Sequence, residues 1–112
     1  MEESSNANQV IVSVDASGTP SCDPHVVPVN GADAVLKYVL QTAGYAFPTD
    51  GAVVVAGASG QFPLPSRTLP GGTRATLYDR NTAAGTFSYT VFVKNVITGE
   101  IGRVDPSINN GG

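Results

Sequence analysis

Two residues with nucleophilic and metal-binding chemistry stand close together near the start of the chain. Cys22 is the only cysteine and His25 the only histidine, three positions further along. A thiol and an imidazole can serve as nucleophile and base, but the base must also be oriented by a third group. The same two side chains supply only two of the four ligands of a structural zinc site. We therefore predict neither a catalytic nor a metal role for this pair, and expect an exposed loop that carries a partly buried thiol.

The remaining candidates for catalysis do not form a recognisable site. Glycoside hydrolysis needs a pair of carboxylates. The acids available stand singly in predicted turns, where Asp usually closes its own turn: Asp15, Asp50, Asp79 and Asp105. The stretch Gly57-Ala58-Ser59-Gly60 lacks the residues that a nucleophile elbow or a phosphate-binding loop requires. The sequence thus predicts a protein that is not an enzyme and uses no cofactor.

The final residues, Gly111 and Gly112, allow a different function. Ubiquitin-like and sulfur-carrier proteins are activated on a C-terminal Gly-Gly, because a tail without side chains can enter the active site of a partner enzyme. This alternative would fit a β-grasp fold in which residues 33–44 form the helix. Glycines at a chain end are equally typical of a frayed terminus. The sequence leaves both interpretations open.

The charge and composition argue against two classes of partner. The 112 residues include 9 acidic and 6 basic side chains, without a basic run, so we predict no nucleic-acid binding. No segment approaches the roughly 18 apolar residues that would span a bilayer, so we predict no membrane insertion. The opening residues lack the features of an export signal. We expect a cytoplasmic protein, or a periplasmic one if an export signal had been removed, and the oligomeric state stays open.

Alternating apolar and polar residues predict short strands along most of the chain. The clearest strand covers residues 85–94, where one face carries Phe87, Tyr89, Val91 and Val93. Two prolines mark residues 23–29 as an edge strand, and the unbroken apolar run at 52–56 is typical of a central strand. Further strands are predicted at residues 9–14, 73–79 and 101–104.

Residues 33–44 fit both a helix and a strand. As a helix, the segment would be capped by Asp33 and ended by Gly44. As a strand, Leu36, Tyr38 and Leu40 would share one face. We favour the strand because every neighbouring segment with a clear pattern is β.

Together these patterns predict an all-β fold, a Greek-key β-sandwich of about seven strands. The single domain would cover residues 9–108. Residues 1–8 are expected to form a disordered N-terminal tail and residues 109–112 a flexible C-terminal tail. The segment from 57 to 72, rich in proline and glycine, is expected to be a long surface loop.

Residues 79–93 resemble the late hairpin of immunoglobulin-like and cupredoxin-like domains. The matching residues are Asp79, Gly85-Thr86-Phe87 and Tyr89-Thr90-Val91. Over residues 33–110 the chain resembles small uncharacterised bacterial domains of this kind. The resemblance implies a sandwich and assigns no chemistry. A blue-copper site needs two imidazoles, a thiolate and a weak axial ligand, and the chain has one His, one Cys and one Met, so the likeness to cupredoxins does not extend to copper.

Binding is the remaining class of function. Apolar residues that could form an interaction surface occur in the proline-rich loop and on or just after the 85–94 strand: Phe62, Leu64, Leu69, Phe92, Val96 and Ile97. Our hypothesis is a non-catalytic binding or interaction module whose partner is an unknown protein or small ligand.

Overall fold

The computed structural model of the protein describes residues 8–55 and 60–111, and these residues form strands and turns without any helix. The strands are β1 (Gln9–Val14), β2 (Pro20–Asp23), β3 (Val26–Val29), β4 (Ala34–Leu40), β5 (Tyr45–Ala46), β6 (Val53–Val55), β7 (Arg67–Thr68), β8 (Arg74–Asp79), β9 (Gly85–Asn95), β10 (Ile101–Val104) and β11 (Ser107–Asn110). They make two sheets in a sandwich-like, all-β arrangement, so the predicted fold class is confirmed.

The first sheet has the strand order β2-β1-β4-β8-β7. All its neighbours are antiparallel except β1 and β4, which run parallel with Val10 opposite Tyr38. Inward and outward side chains alternate along β4, whose burial pattern is that of a strand with one face on the core. The strand interpretation of residues 33–44 is therefore confirmed. The helix that the β-grasp alternative requires at these positions does not form.

The second sheet is organised around β9, the longest strand. On one side of β9, β10 pairs with residues 91–94 and β11 with residues 85–88, and both run antiparallel to β9. On the other side lie β5 and β6. β3 pairs in parallel with the far side of β11 and forms an edge of the sheet. The sheet is thus mixed, like the first.

The core lies between the sheets, and valine from alternate strand positions is its most frequent residue. Val10, Val12 and Val14 of β1 point inward, as predicted, and so do Tyr89, Val91 and Val93 of β9. At the centre, the rings of Tyr38 and Tyr89 meet edge to face with their centroids 5.9 Å apart. Such pairs add to the stabilisation from apolar burial.

The structure corrects the predicted number and placement of strands. There are eleven strands rather than about seven among the described residues, because several are only two to four residues long. The predicted edge strand at 23–29 divides at Pro24, which cannot donate to a ladder, and its two parts join different sheets. The predicted central strand at 52–56 is β6, which among the described residues pairs with β9 alone and so lies at an edge.

The C-terminal strand continues further than the sequence suggested. β11 includes Asn109 and Asn110, two residues of the segment assigned to a flexible tail, because both pair with β3 and β9. The Gly111 N–H then donates to the Val29 carbonyl at 2.9 Å. Gly112 and residues 1–7, which carry most of the predicted N-terminal tail, lie outside the described residues.

Candidate functional site

The structure distributes the six predicted interaction residues over three separate places. Phe62 and Leu64 line a groove beside β6. Leu69 belongs to a second groove, on the outer face of the first sheet. Val96 and Ile97 are exposed at the β9–β10 turn, where Ile97 is 86% exposed. Phe92 is half-buried on the outer face of β9, opposite Arg103 of β10. They do not converge into one surface.

The first groove, called here the β6 groove, has a volume of about 230 Å³ and lies between β6 and the proline-rich segment 62–66. Its walls are formed mainly by apolar side chains from these two segments and from Leu77 of β8. Phe62 forms the buried base, since its ring packs edge-on against Phe87 at 5.3 Å between centroids. Leu64, in contrast, is 57% exposed at the rim. None of the described residues that line the groove is ionisable, so the groove favours apolar groups.

The backbone beside this groove is partly unpaired. Phe92 N–H donates to the Ala52 carbonyl at 2.8 Å. In an antiparallel pair, the backbone N–H and C=O groups of successive residues point alternately to the two sides of a strand. Since Ala52 points toward β9, Val53 and Val55 direct their N–H and C=O away from it. The Val53 N–H donates to Ser66 Oγ at 3.1 Å. The Val53 carbonyl and both backbone groups of Val55 therefore face the other edge of β6. We call it the open edge, because no described strand pairs with it.

A second surface, which we call the basic face, lies on the outside of the first sheet and was not found from the sequence. Its members are Lys37 on β4, Arg67 on β7 and Arg74 on β8. All three side chains are exposed, and none forms an ion pair with a described residue. The strand registers place them together, because Thr76 of β8 pairs with both Lys37 and Arg67. The cluster could not be recognised in the sequence, because its three residues come together only through strand pairing.

The basic face contains a groove of about 480 Å³. Its outward-facing lining residues are Gln9, Lys37, Val39, Leu69, Arg74 and Thr76. Cationic and apolar side chains therefore alternate across this surface. The acidic residues of the same face stand at its margins: Asp23 lies across β1 from the groove, and Asp33 accepts a hydrogen bond from the Tyr78 hydroxyl.

The structure separates the two residues that could have formed a nucleophile and its base. Cys22 points into the core from β2, and burial raises the pKa of its thiol to about 12. A thiol in this state is a poor nucleophile at neutral pH. His25 is exposed, and its carbonyl accepts a hydrogen bond from the Ser107 N–H at 3.0 Å. In this arrangement the imidazole does not activate the thiol.

A buried polar cluster joins the two sheets. Asp79 Oδ1 accepts hydrogen bonds from the Asn81 N–H at 2.9 Å and from Asn110 Nδ2 at 3.1 Å. Asn81 Nδ2 donates to the carbonyls of Val29 and Gly31. Burial raises the pKa of Asp79, although the hydrogen bonds from Asn110 and Asn81 act in the opposite direction. All three polar side chains are used in bonding strand ends to each other, which assigns the cluster a structural role.

Two further observations concern the described residues. They contain no group of three or more His, Cys, Asp or Glu side chains arranged to hold a metal ion. Within the same ranges, no helix has the length and apolar character needed to cross a membrane.

No protein-family model matches the chain, and no curated protein matches it either.

Proposed function

We propose that this domain is a non-catalytic binding module that holds an extended polypeptide segment along the open edge of β6. The observation that carries the proposal is the combination of unpaired strand backbone with an apolar groove directly beside it. Strand addition uses these two features together, because the backbone bonds give affinity and the pockets select alternate side chains.

The polar half of this recognition is supplied by β6. The Val55 N–H can donate to a ligand carbonyl, and the carbonyls of Val53 and Val55 can accept from ligand N–H groups. Ser66 already occupies the Val53 N–H. The edge therefore accepts a short strand whose first bonds form at Val55.

The apolar half is supplied by the groove. Leu64 at the rim and Phe62 at the base lie on one side, and Val54, which is 47% exposed, lies on the other. Covering a leucine side chain contributes about 1.5–3 kcal/mol. Because the described lining of the groove carries no charged side chain, the ligand should present apolar side chains at alternate positions.

The proposal can be tested by selecting a displayed library of random seven-residue peptides against the whole protein. The expected result is enrichment of peptides with alternating apolar residues. A synthetic copy of an enriched peptide should shift the amide NMR signals of Val53, Val55 and Ser66. Leu64→Glu should weaken its binding by about tenfold or more, since a carboxylate would enter the apolar rim.

Ile97→Glu is the matched control, because it introduces the same charge at an exposed apolar residue outside the groove. It should leave peptide binding unchanged. The absence of any enriched sequence would overturn the proposal. So would an enriched peptide that binds the Leu64→Glu variant as tightly as the parent protein.

A further inference from the structure

The basic face is the strongest charge feature of a chain whose overall charge is negative. The net charge is −3, yet three of its six cationic side chains, Lys37, Arg67 and Arg74, lie on one face of the first sheet. Like charges on neighbouring strands repel each other, and no acidic side chain offsets them through an ion pair within the described ranges. Among the described residues, this face therefore carries three cations that have no ion-pair partner.

The registers fix the spacing of these charges. Lys37 and Arg67 lie in one row, on either side of Thr76. Arg74 lies in the next row, opposite Val39. With strands about 4.8 Å apart and same-face residues about 7 Å apart along a strand, neighbouring cations stand roughly 8–10 Å from each other at Cα.

This spacing suits an extended acidic chain. Carboxylates at alternate positions of an extended peptide are about 7 Å apart, which long Lys and Arg side chains can reach. Guanidinium groups bind carboxylates in a bidentate manner. The apolar side chains of Val39 and Leu69, which line the same groove, can contact the methylene groups of these acidic side chains.

We infer that the basic face binds an acidic, extended polypeptide segment that carries carboxylates at alternate positions. Charge complementarity between this face and the acidic segment carries this inference. A nucleic acid fits less well, because phosphate-backbone binding draws on many cations, while this face offers three on an acidic protein. The surface is separate from the β6 groove, so this inference does not rest on the proposed function.

The test uses a fluorescein-labelled eight-residue peptide of alternating Glu and Val, with fluorescence anisotropy as the readout. The peptide should bind the whole protein, and more weakly as salt rises. The same peptide with Gln in place of Glu should not bind. Arg74→Gln should weaken binding by about tenfold and leave the unfolding temperature unchanged or raised, since one repelling charge is removed.

Lys94→Gln is the matched control, because Lys94 is an exposed strand cation on the other sheet. It should bind the Glu-Val peptide as the parent protein does. Leu64→Glu should also bind it normally, which separates this inference from the β6 groove. Failure of the Glu-Val peptide to bind would overturn the inference. Equal loss in Lys94→Gln, or tighter binding of a twelve-nucleotide oligothymidine or an oligogalacturonate, would do the same.

Discussion

Replacing Asp79 by alanine should destabilise the fold, because the carboxylate is the acceptor for two buried donors. These are the Asn81 N–H and Asn110 Nδ2. A buried donor that loses its acceptor costs about 1–3 kcal/mol, so the two together represent about 2–6 kcal/mol. Removing a desolvated carboxylate recovers part of this, and we expect a net loss of about 2–4 kcal/mol. That is a large part of the free energy of unfolding of a typical domain, which is about 5–15 kcal/mol.

Asp79 should also make the stability depend on pH. Burial raises its pKa above the usual 3.8, so between that value and the native pKa the folded protein holds a proton that the unfolded chain has lost. The contribution of Asp79 to the free energy of unfolding therefore decreases as pH rises through this window, and is constant outside it. Asp79→Asn keeps an acceptor oxygen and cannot ionise, so its stability relative to the parent protein should increase with pH across the window.

Urea unfolding followed by circular dichroism from pH 3 to pH 8 measures both effects. The difference between the parent protein and Asp79→Asn isolates this one carboxyl from the other acids, and Asp50→Asn, in an exposed turn, is the control. The reasoning would be refuted if Asp79→Asn were as unstable as Asp79→Ala at every pH. A stability difference between the parent protein and Asp79→Asn that stays constant with pH would refute the linkage.

Three further predictions test the packing. Gly102→Ala should cost about 1–3 kcal/mol, because an added Cβ would lie 2.6 Å from the Gly18 carbonyl oxygen. Gly60→Ala, where no described atom lies within 4 Å of the added Cβ, should change the unfolding midpoint little, and equal effects would contradict this. Tyr89→Phe should be neutral or stabilising by up to about 1–2 kcal/mol in thermal unfolding, because its buried hydroxyl makes no hydrogen bond of normal geometry to a described residue; a clear loss would count against it. Cys22 should react with a thiol reagent at pH 8 only after denaturant is added, and rapid labelling of the native protein would disagree with its burial.

The sequence pattern predicted the strands that bury one face. It was less informative where the residue pattern does not reveal the neighbouring strands. β9 was clear because its inward and outward residues alternate over eleven positions. The run at 52–56 suggested a central strand, but within the described residues β6 pairs with β9 alone, and Val54 is 47% exposed. A run of apolar residues does not show how many strands lie beside it. Residues 33–44 satisfied two periodicities, and only the pairing of β4 with β1 and β8 decides between them.

The candidate surfaces were less predictable than the fold. Phe62 and Leu64 were recognised as apolar residues in a proline-rich loop, and they do line one groove. The basic face could not have been predicted, because it depends on the register of three strands. A shift of one residue in any register would turn its cation toward the core. The link between Asp79 and Asn110 spans 31 positions and likewise depends on how the two sheets meet.

The position of β11 has a consequence for how the protein is made. β11 lies between β9 and β3, so β3, synthesised early, has no strand to join until residues 107–110 have left the ribosome. The Asp79 cluster is likewise incomplete until Asn110 arrives. A nascent chain can form the first sheet, but the second sheet closes only when this late strand is inserted, and until then the edges of β3 and β9 are exposed to other chains.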